Sequence, residues 1–289
     1  METNITKYLA ILEVIQEQNF TKAAENLNYS QAAISKMIHS MEQKMGLTLF
    51  IRTTTRVEPT ADALRILPAI QELCSKYRNL ERQVSDITNL EVGTIRIGSF
   101  ASAAIHWLPH ILKEYTKRYP NIEFELYVGS YKEIEVKIKC HELDCAFLPL
   151  PTCDPELNST YLESDAFKLV VPPGHPLTKY DIVPHEELNH YPFLLVEEKG
   201  DSEVTIFLEE HNLHPVRFLT TWDDYVTMSM VENGLGISIL STTILIGCPF
   251  DIVIKEMDVP FNREIGFVYS DQASMSKALE KFMRYLECR

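Results

Sequence analysis

Residues 20–50, FTKAAENLNYSQAAISKMIHSMEQKMGLTLF, decide how the chain is read. They form two short helices around a tight Asn28-Tyr29-Ser30 turn. Thr21 is placed to cap the first helix, which sends Ala23, Ala24 and Leu27, with Phe20, towards a core. Ser30 is a good N-cap for the second, because its hydroxyl can accept an orphan backbone N–H. Along that second helix Ile34, Met37, Ile38, Met41 and Met45 recur at spacings of three and four and so share a face. Ala32, Ser35, Lys36, His39 and Gln43 gather opposite. Small, hydroxyl, amide and cationic groups on one face suit a helix lying in a DNA major groove, although an ordinary amphipathic helix pair shows the same pattern. Gly46 ends the helix.

Working outward, residues 4–18 place Ile5, Tyr8, Leu9, Leu12 and Ile15 on one face, giving a first helix under the pair. Beyond Gly46, LTLFIRTTTRVEPT is rich in threonine and arginine and suits a short two-stranded wing, with Arg52 and Arg56 available to phosphate or to the minor groove. From Thr60 to Asn89 the pattern is helical again. Ile66, Ile70, Leu73, Tyr77, Leu80, Val84 and Ile87 alternate spacings of four and three, the seam of a coiled coil, which predicts dimerisation. Burial under the chain's own C-terminal part is the competing account. Pro68 should bend this helix or end a first short segment.

The remainder alternates strands and helices. TIRIGS (94–99), IEFELYVGS (122–130) and LDCAFLP (143–149) read as strands, and residues 103–119 and 131–140 as the helices between them. PLPTCDPELNS is a crossing linker. A second set follows, with strands near FKLVVP, PFLLV, PVRFLTT and LGISILS and helices near 202–211 and 224–233; a late strand (264–270) and a final helix (274–287) close the chain. Two α/β lobes joined by crossing strands leave a cleft at the strand ends, where ligands usually sit.

Composition bounds the function. With 289 residues, 45% apolar and 24% charged, the chain is that of a globular protein of two or three domains. It has no apolar run long enough to span a membrane, and METNITK does not read as a signal peptide, so a cytoplasmic location is expected. Six cysteines follow no framework spacing, which points to free thiols. Residues 1–88 hold ten Lys/Arg against ten Asp/Glu; the other seventeen basic and thirty-one acidic groups, and with them the whole net charge of −14, lie in residues 89–289. A neutral N-terminal domain binds phosphate weakly as a single copy, which favours oligomeric, multi-site binding.

Residues 29–60, YSQAAISKMIHSMEQKMGLTLFIRTTTRVEPT, closely resemble the winged helix-turn-helix of LysR-type transcriptional regulators, through Phe20, Ala23, Ala24, Leu27, Ser30, Gln31, Ser35, Ile38, Gly46, Leu49-Phe50, Arg52 and Thr60. TIRIGS, GHPL (174–177) and ENGLGISIL (232–240) are similar to parts of that family's effector domain, so the resemblance spans nearly the whole chain. Three departures are Pro59 where the family usually has Leu, and Ala63 and His141 where it usually has Gly.

The resemblance implies an N-terminal all-α winged helix-turn-helix (1–60) plus a long linker helix (61–89), then an α/β two-lobed, periplasmic-binding-protein-like effector domain (90–289). Lobe I would comprise about 90–158 and 266–289, and lobe II about 159–265. It implies a bacterial homotetramer of linker-helix dimers on partly palindromic operators of double-stranded DNA. A small-molecule co-inducer would change the angle between dimers, and with it the DNA bend and the recruitment of RNA polymerase. No other cofactor and no metal is expected.

The candidate DNA contacts are Ser30, Gln31, Ala32, Ser35, Lys36, His39, Arg52 and Arg56. Gln31 can offer its amide to adenine, and Lys36 suits a phosphate. For a small polar metabolite, a carboxylate among the candidates, the expected residues are Ser99, Phe100, Ala101 and Ser102 at a helix N-terminus, Gly129 and Ser130 after the second strand, Lys199, Gly200, Asp201 and Ser202 before another helix, and Trp222 with Asp223 before a third. Helix capping alone accounts for Ser102, Ser202 and Asp223. Cys140, Cys145 and Cys153 around His141 lack zinc spacing and read as buried structural thiols rather than a redox switch. Enzyme readings find no Ser-centred elbow, phosphate-binding glycine fingerprint or His-Glu metal helix. The alternatives are a small-molecule-binding protein without a DNA role, a solute-binding protein, and a hydrolase using a Cys/His pair.

Overall fold

The computed structural model describes residues 5–52, 57–87, 93–197, 202–270 and 275–289, which fall into two compact units, Met1–Asn89 and Leu90–Arg289.

The N-terminal unit opens with α1 (Ile5–Glu17), α2 (Phe20–Asn26) and α3 (Gln31–Met45). Ile11, Val14, Ala23, Ile34, Ile38 and Leu49 make a core without solvent exposure. The expected apolar face of α3 is the buried one, with Met37 and Met45 half-buried at its margin. Ser30 caps α3 by accepting from Ala33 N at 3.2 Å, and Gly46 ends it in the left-handed conformation at φ 66°. The cap of α2 is Asn19, not Thr21: its carboxamide oxygen accepts from Thr21 N and Lys22 N at 2.8 and 3.2 Å. Its side chain has the reach to turn back on the second and third N–H groups, and Phe20, the first helical residue, is anchored in the core by its edge contact with Phe50.

The wing is present as β1 (Phe50–Arg52) antiparallel to β2 (Val57–Pro59). Glu42 on α3 accepts from Leu49 N and Phe50 N at 2.8 and 3.3 Å, tying the first wing strand to that helix. Thr60 then caps α4 (Ala61–Ile87), one continuous 27-residue helix with Pro68 inside it. Pro68 therefore does not end a segment: it stands early in a helix whose first half is held by packing of Ala63, Ile66, Ile70 and Cys74 on the core.

The C-terminal unit runs β3 (Gly93–Ser99), α5 (Ala101–His106), α6 (Leu108–Arg118), β4 (Ile122–Val128), α7 (Tyr131–Lys139), β5 (Cys145–Leu150), β6 (Asn158–Val171), β7 (Ile182–Val183), β8 (Pro192–Val196), α8 (Glu203–Glu210), β9 (Val216–Thr221), α9 (Asp224–Glu232), β10 (Ser238–Ser241), α10 (Thr242–Leu245), β11 (Val253–Met257), β12 (Asn262–Tyr269) and α11 (Lys277–Met283). The helix expected over 103–119 is two, parted at Trp107, because Pro109 can only open a new helix. β7, β10 to β12 and the long β6 join the first lobe's strands in one eight-stranded sheet, ordered β4-β3-β5-β12-β6-β11-β7 with β10 also on β6.

β6 and β12 are the crossing strands. β6 pairs with β12 from Asn158 to Ala166, then with β10 from Phe167 onward, so the hand-over between lobes falls inside one strand. Apolar clusters cover both faces of each lobe: one around Tyr115, Phe147 and Phe282, its opposite around Ile134 and Leu148, and in the second lobe one around Phe193 and Phe207 and another around Met228 and Val231. Gly98 lets α7 close on the sheet, since a Cβ there would lie 2.6 Å from Ile134. His141 adopts φ 53°, the left-handed backbone that suits the glycine of the resembled pattern. Among the described residues no helix is long and apolar enough to cross a membrane.

Candidate functional site

Two sites emerge, one in each unit. On the N-terminal unit, burial of Ile34, Ile38 and Met41 turns Gln31, Ala32, Lys36, His39 and Gln43 outward, all exposed, with Ser35 half-buried beside them. Ser30 is exposed and already spends its hydroxyl on the cap. His39 and Gln43, one turn apart, hydrogen bond through Nε2 and Nε2 at 3.1 Å. Arg52 ends the first wing strand, and Arg56 lies outside the described residues.

In the C-terminal unit a cavity of about 190 Å³ opens where the helix starts of both lobes converge on the crossing strands. Phe100, Ala101 and Ser102 line it at the start of α5, Ser202 and Glu203 at α8, and Trp222, Asp223 and Asp224 at α9, with Ser241 and Arg263 forming its floor. Of the expected residues, Phe100, Ala101, Ser102, Ser202, Trp222 and Asp223 meet here. Ser99 does not: it is fully buried, and its hydroxyl donates to the Phe100 carbonyl at 3.0 Å. Gly129 and Ser130 also stay off the wall, because Gly129 N donates back to Ser99 and Ser130 forms the capping box of α7 with Glu133. Lys199, Gly200 and Asp201 lie outside the described residues.

Arg263, on β12, is the centre of the cleft and was not anticipated. Its Nη2 donates to Asp165 at 2.8 Å, Ser241 Oγ at 3.1 Å and Ser102 Oγ at 3.2 Å. Nη1 donates to Tyr131 OH at 2.9 Å, and that hydroxyl donates on to Glu203 at 3.1 Å. The guanidinium also lies over the Phe100 and Phe167 rings, 4.6 and 5.2 Å from their centroids. One side chain thus joins groups from both lobes. The hydroxyls of Ser102 and Ser202 consequently make no capping bond: Ser102 lies inside α5 and accepts from Arg263, and Ser202, at the N-cap position of α8, donates to the Val196 carbonyl. Asp223 does cap, accepting from Val226 N at 2.9 Å.

The electrostatics divide these acids. Burial alone would raise the Asp165 carboxyl, but the Arg263 charge and donors from Thr243 and Thr242 outweigh it and hold the group below the usual carboxylate value. Burial likewise opposes the Arg263 charge, yet Tyr131, Glu203 and Asp165 keep it firmly protonated. Asp224 goes the other way. Burial pushes it up to about 6, with Asp223, Glu203 and Asp165 adding repulsion that the pull of Arg263 does not cancel.

The thiols divide as well. Cys145 is buried, and desolvation raises it; Cys140 is half-buried and Cys153 is exposed, so the reading of all three as buried fails at Cys153, which sits on a surface turn after β5. His185, Glu186 and Asp258 bring three ligand atoms together, but Asp258 already accepts from both the ring and the main-chain N–H of His185 at 2.9 Å, as a clamp at the strand ends.

Comparison with known proteins matches residues 5–64 to the "bacterial regulatory helix-turn-helix protein, lysR family" model and residues 88–289 to the "LysR substrate binding domain" model. The regulator YvbU of Bacillus subtilis is 26% identical over 284 residues, covering 96% of each chain. LrrA of Synechococcus elongatus, a probable regulator, is 27% identical and covers 91% of this chain and 89% of its own. Among solved structures, full-length CbnR complexed with its target DNA superposes with a TM-score of 0.70 at 15% identity, covering 99% of each chain. A full-length OxyR variant from Pseudomonas aeruginosa gives 0.72 at 20% identity, over 99% of this chain and 95% of its own. Helix-turn-helix, wing, long helix and two-lobed domain occur here in one order and are matched end to end: the chain belongs to the LysR family of DNA-binding transcriptional regulators, with an effector-binding domain as its C-terminal unit.

Proposed function

We propose that α3 reads one operator half-site in the major groove while a small molecule in the cleft sets promoter activity. The observation that carries this reading is the division of α3, whose apolar face is buried and whose outward face presents Gln31, Ala32, Lys36 and His39 together. In this reading Gln31 and Ser35 contact bases, while Lys36, Arg52 and Arg56 hold phosphate. Copies associate through α4. Its seam is divided: Ile66 and Ile70 pack on the core of their own unit, whereas Leu73, Leu80 and Val84 are exposed along the later turns. Three apolar side chains recurring on one helix face in water favour a second copy. Tetramer assembly, recruitment of RNA polymerase and the cleft as effector site belong to the same proposal, which assigns binding and no reaction.

Gel shifts with the DNA upstream of the protein's own gene test the DNA arm. Lys36→Ala should weaken binding to all sequences alike and lower the salt slope by about one, whereas Gln31→Ala should cost about 1–3 kcal/mol at one base position only. Unchanged affinity and slope in the double variant would remove α3 from the interface.

A further inference from the structure

The cleft offers a charge balance that says what kind of molecule it can hold. Among its described lining residues the one cation, Arg263, is consumed: both Nε and Nη2 donate to one Asp165 oxygen, while Thr242 and Thr243 satisfy the other. The two are neutral as a pair and bury each other, Asp165 fully and Arg263 to about nine-tenths. Once that pair is set aside, the described wall keeps three carboxylates, Asp223, Asp224 and Glu203, of which Glu203 lies 3.5 Å from Arg263 Nη1 and accepts from Tyr131 OH. Residues 197–201, EEKGD, carry three acids and one lysine, so their composition does not reverse the sign.

The hydroxyls expected to serve an anion at the start of α5 are engaged as well. Ser102 Oγ already accepts from Arg263, and Ser99 is turned into the core. A carboxylate entering this cavity would meet three like charges without a free cation among the described residues.

Asp224 carries the point further. As the first residue of α9 it stands where a helix dipole ordinarily favours a negative charge. Its environment does the opposite, holding the carboxyl up at about 6 through burial and through the facing Asp223, Glu203 and Asp165, against the pull of Arg263. Among the described residues no side chain donates a hydrogen bond to it. Arg263 is the one positive group among the described residues that acts on it, and it does not outweigh the burial.

Trp222, 72% exposed at the mouth, and Tyr225 add aromatic faces of the sort that attract ammonium groups. The cavity, at about 190 Å³, is small beside the roughly 300–1,000 Å³ of clefts that hold drug-sized ligands.

We infer that the effector of this cleft is a small organic cation, its ammonium group held by Asp224, Asp223 and Glu203 beside the Trp222 and Tyr225 rings. The inference rests on the reading of the cleft as the effector site and gives that ligand its charge.

Butylammonium and butyrate, nearly equal in shape and opposite in sign, are the probes. Calorimetric titration into the full chain at pH 7.5 should show butylammonium binding at least tenfold tighter than butyrate. Between pH 7.5 and pH 5 its affinity should fall roughly tenfold as Asp224 takes up a proton. Asp224→Asn and Glu203→Gln should each weaken it, and the pH series on the unaltered chain stands on its own should either variant fold poorly. Butyrate binding equally well or better, or an affinity for butylammonium indifferent to pH, would overturn the cation and leave the effector reading standing. Binding of neither probe would overturn the cation too; an operator gel shift indifferent to a total metabolite extract would then bring down the effector reading with it.

Discussion

The outward face of α3 and the wall of the cleft are both built from polar side chains, but they hold them in opposite states. On α3 Gln31, Lys36 and His39 stand in solvent, exposed because the other face is buried. In the cleft Arg263, Asp165, Tyr131, Glu203, Ser102 and Ser241 are joined by hydrogen bonds into one network. A surface awaiting a long polyanion can leave its groups to water until the partner replaces that water. In a cavity the same freedom costs free energy at once, because an unpaired group there stands in low dielectric, as Asp224 does. The two sites should therefore respond to mutation in different currencies, the first in affinity alone and the second in stability first.

The largest effect that would test this contrast comes from Arg263→Ala. It leaves Asp165 buried and unpaired, which should cost about 3–5 kcal/mol. At about 2–4 °C per kcal/mol for a unit of this size, the melting temperature should drop by roughly 10 °C, read by differential scanning calorimetry. Arg263→Met combined with Asp165→Leu should recover most of the loss, since the pair stabilises little relative to an apolar replacement. A single variant as stable as the parent would show that the network is not what holds the cleft.

The exposed half of α4 comes next. Leu80→Glu removes one apolar side chain from each copy in the proposed dimer seam, two in all, at about 1.5 kcal/mol or more each. The dimer dissociation constant measured by analytical ultracentrifugation should rise about a hundredfold, with no change in the melting of either unit. Unchanged sedimentation would locate the association surface elsewhere.

The smallest effect has the most informative sign. Asp224 is held at about 6 in the fold against an ordinary value of 3.8. Its charge therefore destabilises the fold above about pH 6, and the cost vanishes below about pH 4. Asp224→Asn should accordingly raise stability at pH 7.5, by about 1–2 kcal/mol after allowing for partial exposure, and leave it unchanged near pH 4. On α3, Lys36→Ala should do nothing of the kind at either pH.

The same contrast explains what was legible in the sequence. The α3 site lies within thirteen residues of one helix, where a period of 3.6 sorts inside from outside, so its members could be named together. The cleft network draws on positions 102, 131, 165, 203, 241 and 263, brought together by sheet order alone. Helix starts were visible as Ser or Asp before a periodic run, which is why Ser102, Ser202, Trp222 and Asp223 were found. Arg263 was not, because on a strand an arginine between Asn262 and Glu264 reads as a solvated charge. Glu203 and Asp224 were within one residue of the chosen positions, and a count of acids at the helix starts would have found them. Asn19 was missed as a cap because Thr21 offered an equally good hydroxyl and Phe20 stood between them, its membership of the helix fixed only by its packing against Phe50.

β6 has one more consequence. Its fourteen residues serve the sheet of the first lobe up to Ala166 and that of the second from Phe167 onward. Neither lobe can give up β6 without opening the sheet of the other, so the two are coupled through one strand. Amide protons on both sides of that hand-over should therefore share a single protecting event in hydrogen exchange, and the C-terminal unit should melt as one cooperative foldon.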